Sequence, residues 1–256
     1  MKRFLSYLAT PIFHLYFGSL LLLFHPIMAI GLKLFGDSFR KKIVDILNLL
    51  LTKGLAIMGA KVRYNGLEKI PENRPLIIIA NHQSTYDIPP IVWAFRKHYP
   101  RFISKIELAK NIPSISHNLK HGKSALIDRK KGAQSVKEIF KLGKLIEANN
   151  QAACIFPEGT RTKTGKVKKF MTGGVHTLLR AAPSAIIVPF AIEGHYELTK
   201  NKRFPYSFGQ QITYTILDPI DPKDYDVEEV ILKAETEIKK TLGQYQPKAV
   251  DVGYTK

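Results

Sequence analysis

Apolar residues along this chain come in short unbroken runs separated by amphipathic stretches, the alternation expected of strands buried on both faces with helices between them. The run Leu76-Ile77-Ile78-Ile79-Ala80, following Pro75, predicts a buried strand, and Ala152–Phe156 and Ala185–Ile192 predict two more. Shorter strands are expected at Lys61–Tyr64, Arg101–Ser104 and Ser124–Ile127, and an alternating strand at Gln211–Leu217. Helices are expected over Gln134–Asn150, with Val136, Ile139, Phe140 and Ile146 facing inward, over Gly173–Ala182 and over Asp226–Leu242. The stretch from Lys105 to Pro113 reads as a helix start or an irregular connection, and the last dozen residues as a loose tail. The class is therefore α/β, with a central, largely parallel or mixed sheet flanked by helices.

The first sixty residues have a different character. Ile12 to Leu32 is nearly free of charge, and at ~1.5 Å per helical residue it is just long enough to cross a bilayer core. Pro26 is expected to break or bend that helix. A second helical pattern, Phe39 to Met58, carries Ile43, Ile46, Leu47, Leu50 and Leu51 beside Arg40, Lys41, Lys42 and Lys53, the make-up of an interfacial helix among anionic head groups. The apolar stretch is too long for a signal peptide, and no small-residue cleavage site follows it. The readings left are a pair of core helices, a full membrane span and a two-helix membrane anchor dipping into one leaflet, and the last is favoured. The anchor reading divides the chain into residues 1–60, the anchoring helices, and 61–256, the main domain.

Composition narrows the partners. With 256 residues and 45% hydrophobic content the chain can bury a full core, as one domain plus an appendage. A formal net charge of +18 asks for an anionic partner: nucleic acid, anionic lipid or an acidic carrier protein. No nucleic-acid-binding motif accompanies the lysines, and the apolar N-terminus favours lipid. The one cysteine, Cys154, excludes an internal disulfide framework and multi-cysteine zinc sites; its apolar surroundings mark it as a packed thiol.

Candidate chemistry sits where the strands end. His82 and Asp87 follow the strand 76–80 in Asn81-His82-Gln83-Ser84-Thr85-Tyr86-Asp87, and ligands of open α/β sheets gather outside the carboxyl ends of strands. Five residues on a helix turn through roughly 140°, so the pair meets only if the chain bends between them. The spacing admits two roles: an imidazole oriented by a carboxylate, or a loop histidine followed by a helix-capping aspartate. Lys105, Arg129, and Glu158 with Arg161 close other predicted strands, and if those strands are neighbours the residues form one rim, a base beside an anion site. Apart from His82 and Asp87, no histidine or carboxylate spacing suggests a metal, so none is expected.

Four motifs in order carry a family resemblance. Asn81 to Asp87 is similar to the His-four-residue-Asp motif of the glycerolipid acyltransferases, Phe156-Pro157-Glu158-Gly159-Thr160-Arg161 to their Phe-Pro-Glu-Gly-Thr-Arg motif, Leu126-Ile127-Asp128-Arg129 to the motif ending in Ile-Asp-Arg, and Ile187-Val188-Pro189-Phe190 to the Val-Pro motif. The resemblance implies a fatty acyl transfer from a thioester, acyl-CoA or acyl carrier protein, to the sn-2 hydroxyl of 1-acylglycerol 3-phosphate (lysophosphatidic acid), giving phosphatidic acid for phospholipid synthesis. By resemblance His82 is the general base and Asp87 its orienting partner. Lys105, Arg129, Glu158, Gly159, Thr160 and Arg161 bind the acceptor. No cofactor beyond the thioester co-substrate is implied. The expected place is the cytoplasmic face of the inner membrane, against anionic lipid. Alternatives are another lysolipid acceptor or, from a different class, a non-catalytic protein binding anionic membrane or nucleic acid.

Overall fold

A computed structural model describes residues 1–201 and 204–246; most of the expected loose tail lies outside the described residues. The strand 76–80 forms where the apolar run placed it, as β2 (Leu76–Ala80), with all five residues buried. It is the centre of a seven-stranded sheet ordered β1-β7-β6-β2-β5-β3-β4. The other strands are β1 (Lys61–Asn65), β3 (Arg101–Lys105), β4 (Ala125–Ile127), β5 (Ala152–Ile155), β6 (Ile186–Glu193) and β7 (Gln211–Ile216). Five neighbours, β6, β2, β5, β3 and β4, run parallel; β7 pairs antiparallel with β6, and β1 parallel with β7, so the sheet is mixed.

Because side chains alternate across a strand, β2 feeds both faces. Leu76, Ile78 and Ala80 join one apolar cluster with the N-terminal helix and α2 (Ile88–Ala94). Ile77 and Ile79 join the other, with α4 (Gly132–Asn149), α5 (Gly173–Ala181) and α7 (Val227–Thr241). In α4 the inward face is Ile139, Leu142, Gly143 and Ile146, whereas Val136 is exposed and Phe140 half-buried. The stripe is rotated because α5 packs directly on Gly143, where a Cβ would come 2.5 Å from that of Ala181. Two short helices, α3 (Ile115–His121) and α6 (His195–Thr199), complete the set. With α2, they are too short to show a helical period in sequence.

The N-terminal helix α1 (Lys2–Lys53) runs through Pro11 and Pro26 with helical backbone angles and is interrupted at Gly36, whose φ of 78° and ψ of −171° suit glycine alone. The expected break at Pro26 is thus corrected. A proline removes one hydrogen bond, but Gly36 reverses the chain. The two arms are antiparallel: the Tyr16 hydroxyl donates to the Leu50 carbonyl at 3.1 Å, and Phe39 packs against Gly31. The first arm leaves Phe4, Leu8, Ile12, Leu15, Leu22, Leu23, Ile27 and Ile30 exposed. The second is not the free interfacial helix its sequence suggests, since Val44, Leu47 and Leu51 are buried in the sheet's own core cluster. Arg40, expected among head groups, is wholly buried. It is ion-paired with Asp37 at 2.7 Å and donates to Asn118 Oδ1 at 2.7 Å.

Candidate active site

The end of β2 is clamped before the chemistry begins. The Asn81 side chain donates to the Ile192 carbonyl at 2.8 Å and accepts from the Ile192 N–H at 2.7 Å, tying β2 to β6. The His82 N–H donates to Glu158 Oε1 at 2.7 Å, and the His82 carbonyl accepts from the Thr162 N–H at 2.8 Å, so the turn after β5 grips its backbone from both sides.

The chain then bends through a 3₁₀ turn, Thr85–Asp87, closed by a capping box in which Ser84 Oγ accepts from the Tyr86 N–H and Asp87 accepts from the Ser84 N–H. The bend brings His82 Nδ1 to 2.8 Å from Asp87 Oδ2, the oxygen that also accepts from the N–H groups of Gln83 and Ser84 at 2.7 and 2.8 Å. Asp87 therefore fills both roles that its spacing allowed: it caps the turn and it holds the imidazole. The carboxylate is fully buried, which on its own would raise its pKa. Hydrogen bonds from His195 and His82 outweigh burial and bring it to about 2. An ionised Asp87 places the proton of His82 on Nδ1 and leaves Nε2 as a lone pair, with no hydrogen-bond partner among the described residues. The ring stacks on Phe156 at 4.1 Å and stays 19% exposed, open to a substrate.

Among the expected site residues, Arg161 reaches the 81–87 segment through its side chain. It is exposed, and its Nη1 donates to the Thr85 hydroxyl at 2.7 Å, three residues along from His82. Thr160 is exposed and accepts from Lys168 Nζ through both its carbonyl, at 2.6 Å, and its hydroxyl, at 2.5 Å. Glu158 is buried, and both carboxylate oxygens are engaged by main-chain N–H groups, of His82 at 2.7 Å and of Lys168 at 3.2 Å. Burial raises its pKa against those hydrogen bonds. Gly159 turns with φ 71° beneath Met171, whose Cε lies 2.5 Å from where a Cβ would be.

Lys105 ends β3, in register with Ile127 at the end of β4, and Arg129 follows two residues beyond that end; both are exposed. The sheet order sets them two and three strands from β2, roughly 10 and 14 Å at ~4.8 Å per strand. Cys154, on β5, is fully buried; burial, then the charge of Asp87, raises its pKa well above the ordinary thiol value, so it is no nucleophile. His195, which follows β6 and sits 2.6 Å from Asp87 Oδ1, was not singled out by the sequence reading. The rule that picked out His82, a histidine just past the carboxyl end of a buried strand, applies to it equally.

Residues 61–193 match a family model described as Acyltransferase. A probable 1-acyl-sn-glycerol-3-phosphate acyltransferase from Mycoplasma pneumoniae is 28% identical over 218 residues, covering 80% of this chain and 78% of that protein. The 1-acyl-sn-glycerol-3-phosphate acyltransferase alpha of Mus musculus is 22% identical over 205 residues, 75% of this chain and 66% of its own, so the match spans just under two thirds of that relative. The fold is that of the crystal structure of the 1-acyl-sn-glycerophosphate (LPA) acyltransferase PlsC from Thermotoga maritima, with a TM-score of 0.79 and 24% identity over 98% of this chain and 100% of that one.

Proposed function

This chain belongs to the acyltransferase family, and from that premise we propose that it transfers a fatty acyl group from a thioester to the sn-2 hydroxyl of 1-acylglycerol 3-phosphate, making phosphatidic acid. The observation that carries the reading is the His82–Asp87 pair at 2.8 Å with the Arg161 guanidinium anchored beside it on Thr85. The His82 Nε2 lone pair takes the proton of the sn-2 hydroxyl as its oxygen attacks the thioester carbonyl carbon. The C–S bond breaks, and the departing thiolate takes the proton back from the imidazolium. Base catalysis of this kind contributes ~10²- to 10⁴-fold, and alignment of the two substrates adds to it.

Only four covalent bonds separate the sn-2 oxygen from phosphorus in the acceptor. Its phosphate must therefore lie close to His82, which suits Arg161 and its planar fork of donors. Lys105 and Arg129, farther along the rim, extend the positive field in which the anionic acceptor and donor arrive. Glu158 acts from beneath, fixing the backbone that carries the base. Gly159 and Thr160 form the turn that presents Arg161. No cofactor is required beyond the thioester, acyl-CoA or acyl carrier protein. The exposed apolar arm of α1 suits insertion into the cytoplasmic leaflet of the inner membrane, with Lys163, Lys166 and Lys169 facing anionic lipid.

The test is acyl transfer by purified protein in anionic vesicles, with a labelled thioester donor and a panel of lysolipid acceptors. His82→Ala is expected to abolish transfer to lysophosphatidic acid while vesicle attachment is retained. Retained transfer would overturn the reading.

A further inference from the structure

Asp87 lies between two imidazoles. While Oδ2 serves His82 and two backbone amides, Oδ1 lies 2.6 Å from Nδ1 of His195. His195 is wholly buried at the start of α6, and its Nε2 is 2.7 Å from the hydroxyl of Tyr214 on β7, which is buried too. An ionised carboxylate can only accept, so His195 presents Nδ1–H to it, and the Tyr214 hydroxyl donates to the Nε2 lone pair. The order Tyr214, His195, Asp87, His82 is thus a directed row of hydrogen bonds, from the interior of the sheet to the rim.

We propose that His195, held by Tyr214, is a positioning residue for acyl transfer: it fixes the plane of the Asp87 carboxylate and through it the tautomer and aim of His82. The proposal rests on the reading of His82 as the base. A carboxylate bound through one oxygen can still swing about its terminal torsion, which is broad and weakly restrained. Anchoring the second oxygen removes that freedom and keeps Oδ2 in line with the His82 Nδ1–H. Gly194 delivers His195 there: its φ is 89°, and a Cβ would sit 2.0 Å from the Gln211 carbonyl oxygen.

The other titratable groups facing this row are few. Cys154 of β5 lies near Asp87 with a thiol that burial keeps neutral. The Tyr64 ring of β1 packs on Tyr214 at 4.9 Å. Of this row Glu158 meets the backbone N–H of His82, its other oxygen accepting from the Lys168 N–H, and Arg161 stands on the open side. Removing the His195 donor therefore has two effects: the Asp87 charge is less neutralised and, acting through distance whatever the carboxylate's orientation, favours the imidazolium and moves the acid limb of activity to higher pH, while the freed carboxylate no longer holds the neutral ring in one tautomer.

The experiment compares His195→Asn, which keeps an amide donor near the position of Nδ1, with His195→Leu, which removes it, and with Tyr214→Phe. Losing one hydrogen bond to a charged group is expected to lower kcat roughly 10- to 100-fold in His195→Leu. The KM for either substrate stays within about twofold, because His195 is buried beneath the rim. The acid limb rises, His195→Asn recovers most of the rate, and Tyr214→Phe shifts the limb the same way by less. An equal loss in the Leu and Asn variants, or an unmoved limb, would mark a merely structural role. ¹⁵N spectra of the histidine rings, assigned with His82→Ala, read the His82 tautomer without substrate: Nδ1–H in the parent, mixed in His195→Leu. An unchanged His82 ring in His195→Leu overturns the proposal. If the parent fails to acylate lysophosphatidic acid, the functional reading fails alone and the spectra still decide the positioning. Should His195→Leu not fold, Tyr214→Phe carries both readouts.

Discussion

Asp87→Asn is the most informative single change, because one side chain links stability, tautomer and rate. The native carboxyl has a pKa near 2 against an ordinary 3.8, with four hydrogen bonds converging on it from His82, His195, Gln83 and Ser84. A depression of that size corresponds to about 2 kcal/mol favouring the folded state when the group is ionised. Since the folded form binds this proton more weakly than the unfolded one, the increment is whole above about pH 4 and is lost as the pH falls towards about 2. The variant lacks a charge at this position, so its stability gap from the parent should be widest at neutral pH and narrow by about 2 kcal/mol on acidification. Denaturant melts at pH 7, 4 and 2.5 on both proteins measure this directly. The rate should suffer as well. The N–H groups of Gln83 and Ser84 hold the amide oxygen at the Oδ2 position and turn the amide nitrogen towards His195, so His82 keeps an acceptor but loses the negative charge that stabilises its imidazolium; kcat should fall by roughly 10- to 100-fold. A gap that does not change with pH, or a kcat within threefold of the parent, would refute the account of Asp87 as an ionised, orienting carboxylate.

Two further outcomes test the surroundings of that pair. Arg161→Ala should raise the acceptor KM by roughly 10- to 100-fold, the worth of a charge-assisted contact, and leave the donor KM nearly unchanged; titration of initial rates with lysophosphatidic acid checks it, and an unaltered acceptor KM removes Arg161 from the phosphate site. Leu22→Asp combined with Leu23→Asp, both on the exposed side of α1, should release the protein from vesicles in flotation, at a cost of about 2.5–3.5 kcal/mol per charge if the arm reaches the hydrocarbon core and less at the interface; continued flotation would place the membrane contact elsewhere.

Much of this architecture was legible in the order of residues. β2 was readable to the residue because five consecutive apolar side chains after a proline leave few alternatives, and the His82–Asp87 contact followed from one bend. What could not be read was lateral. Nothing local in Lys105 or Arg129 says that β3 and β4 lie two and three strands from β2, since strand order is decided by packing among distant segments. Arg40 looked like a head-group contact because sequence does not show that Asp37 and Asn118 wait in the interior to receive it. The chain reversal at Gly36 was masked by Pro26, a more conspicuous helix breaker that the helix absorbs.

The grip on the base has a consequence for the order in which the protein comes into being. The partners that hold the 81–87 segment in place arrive late in the chain: Glu158 is 76 residues beyond His82, Ile192 is 111 beyond Asn81, and His195 is 108 beyond Asp87. A polypeptide emerging from its N-terminus therefore displays its apolar arm and its His-Asp motif well before it can aim them. A nascent chain carries His82 without its supports until β6 and the residues that follow it have been made.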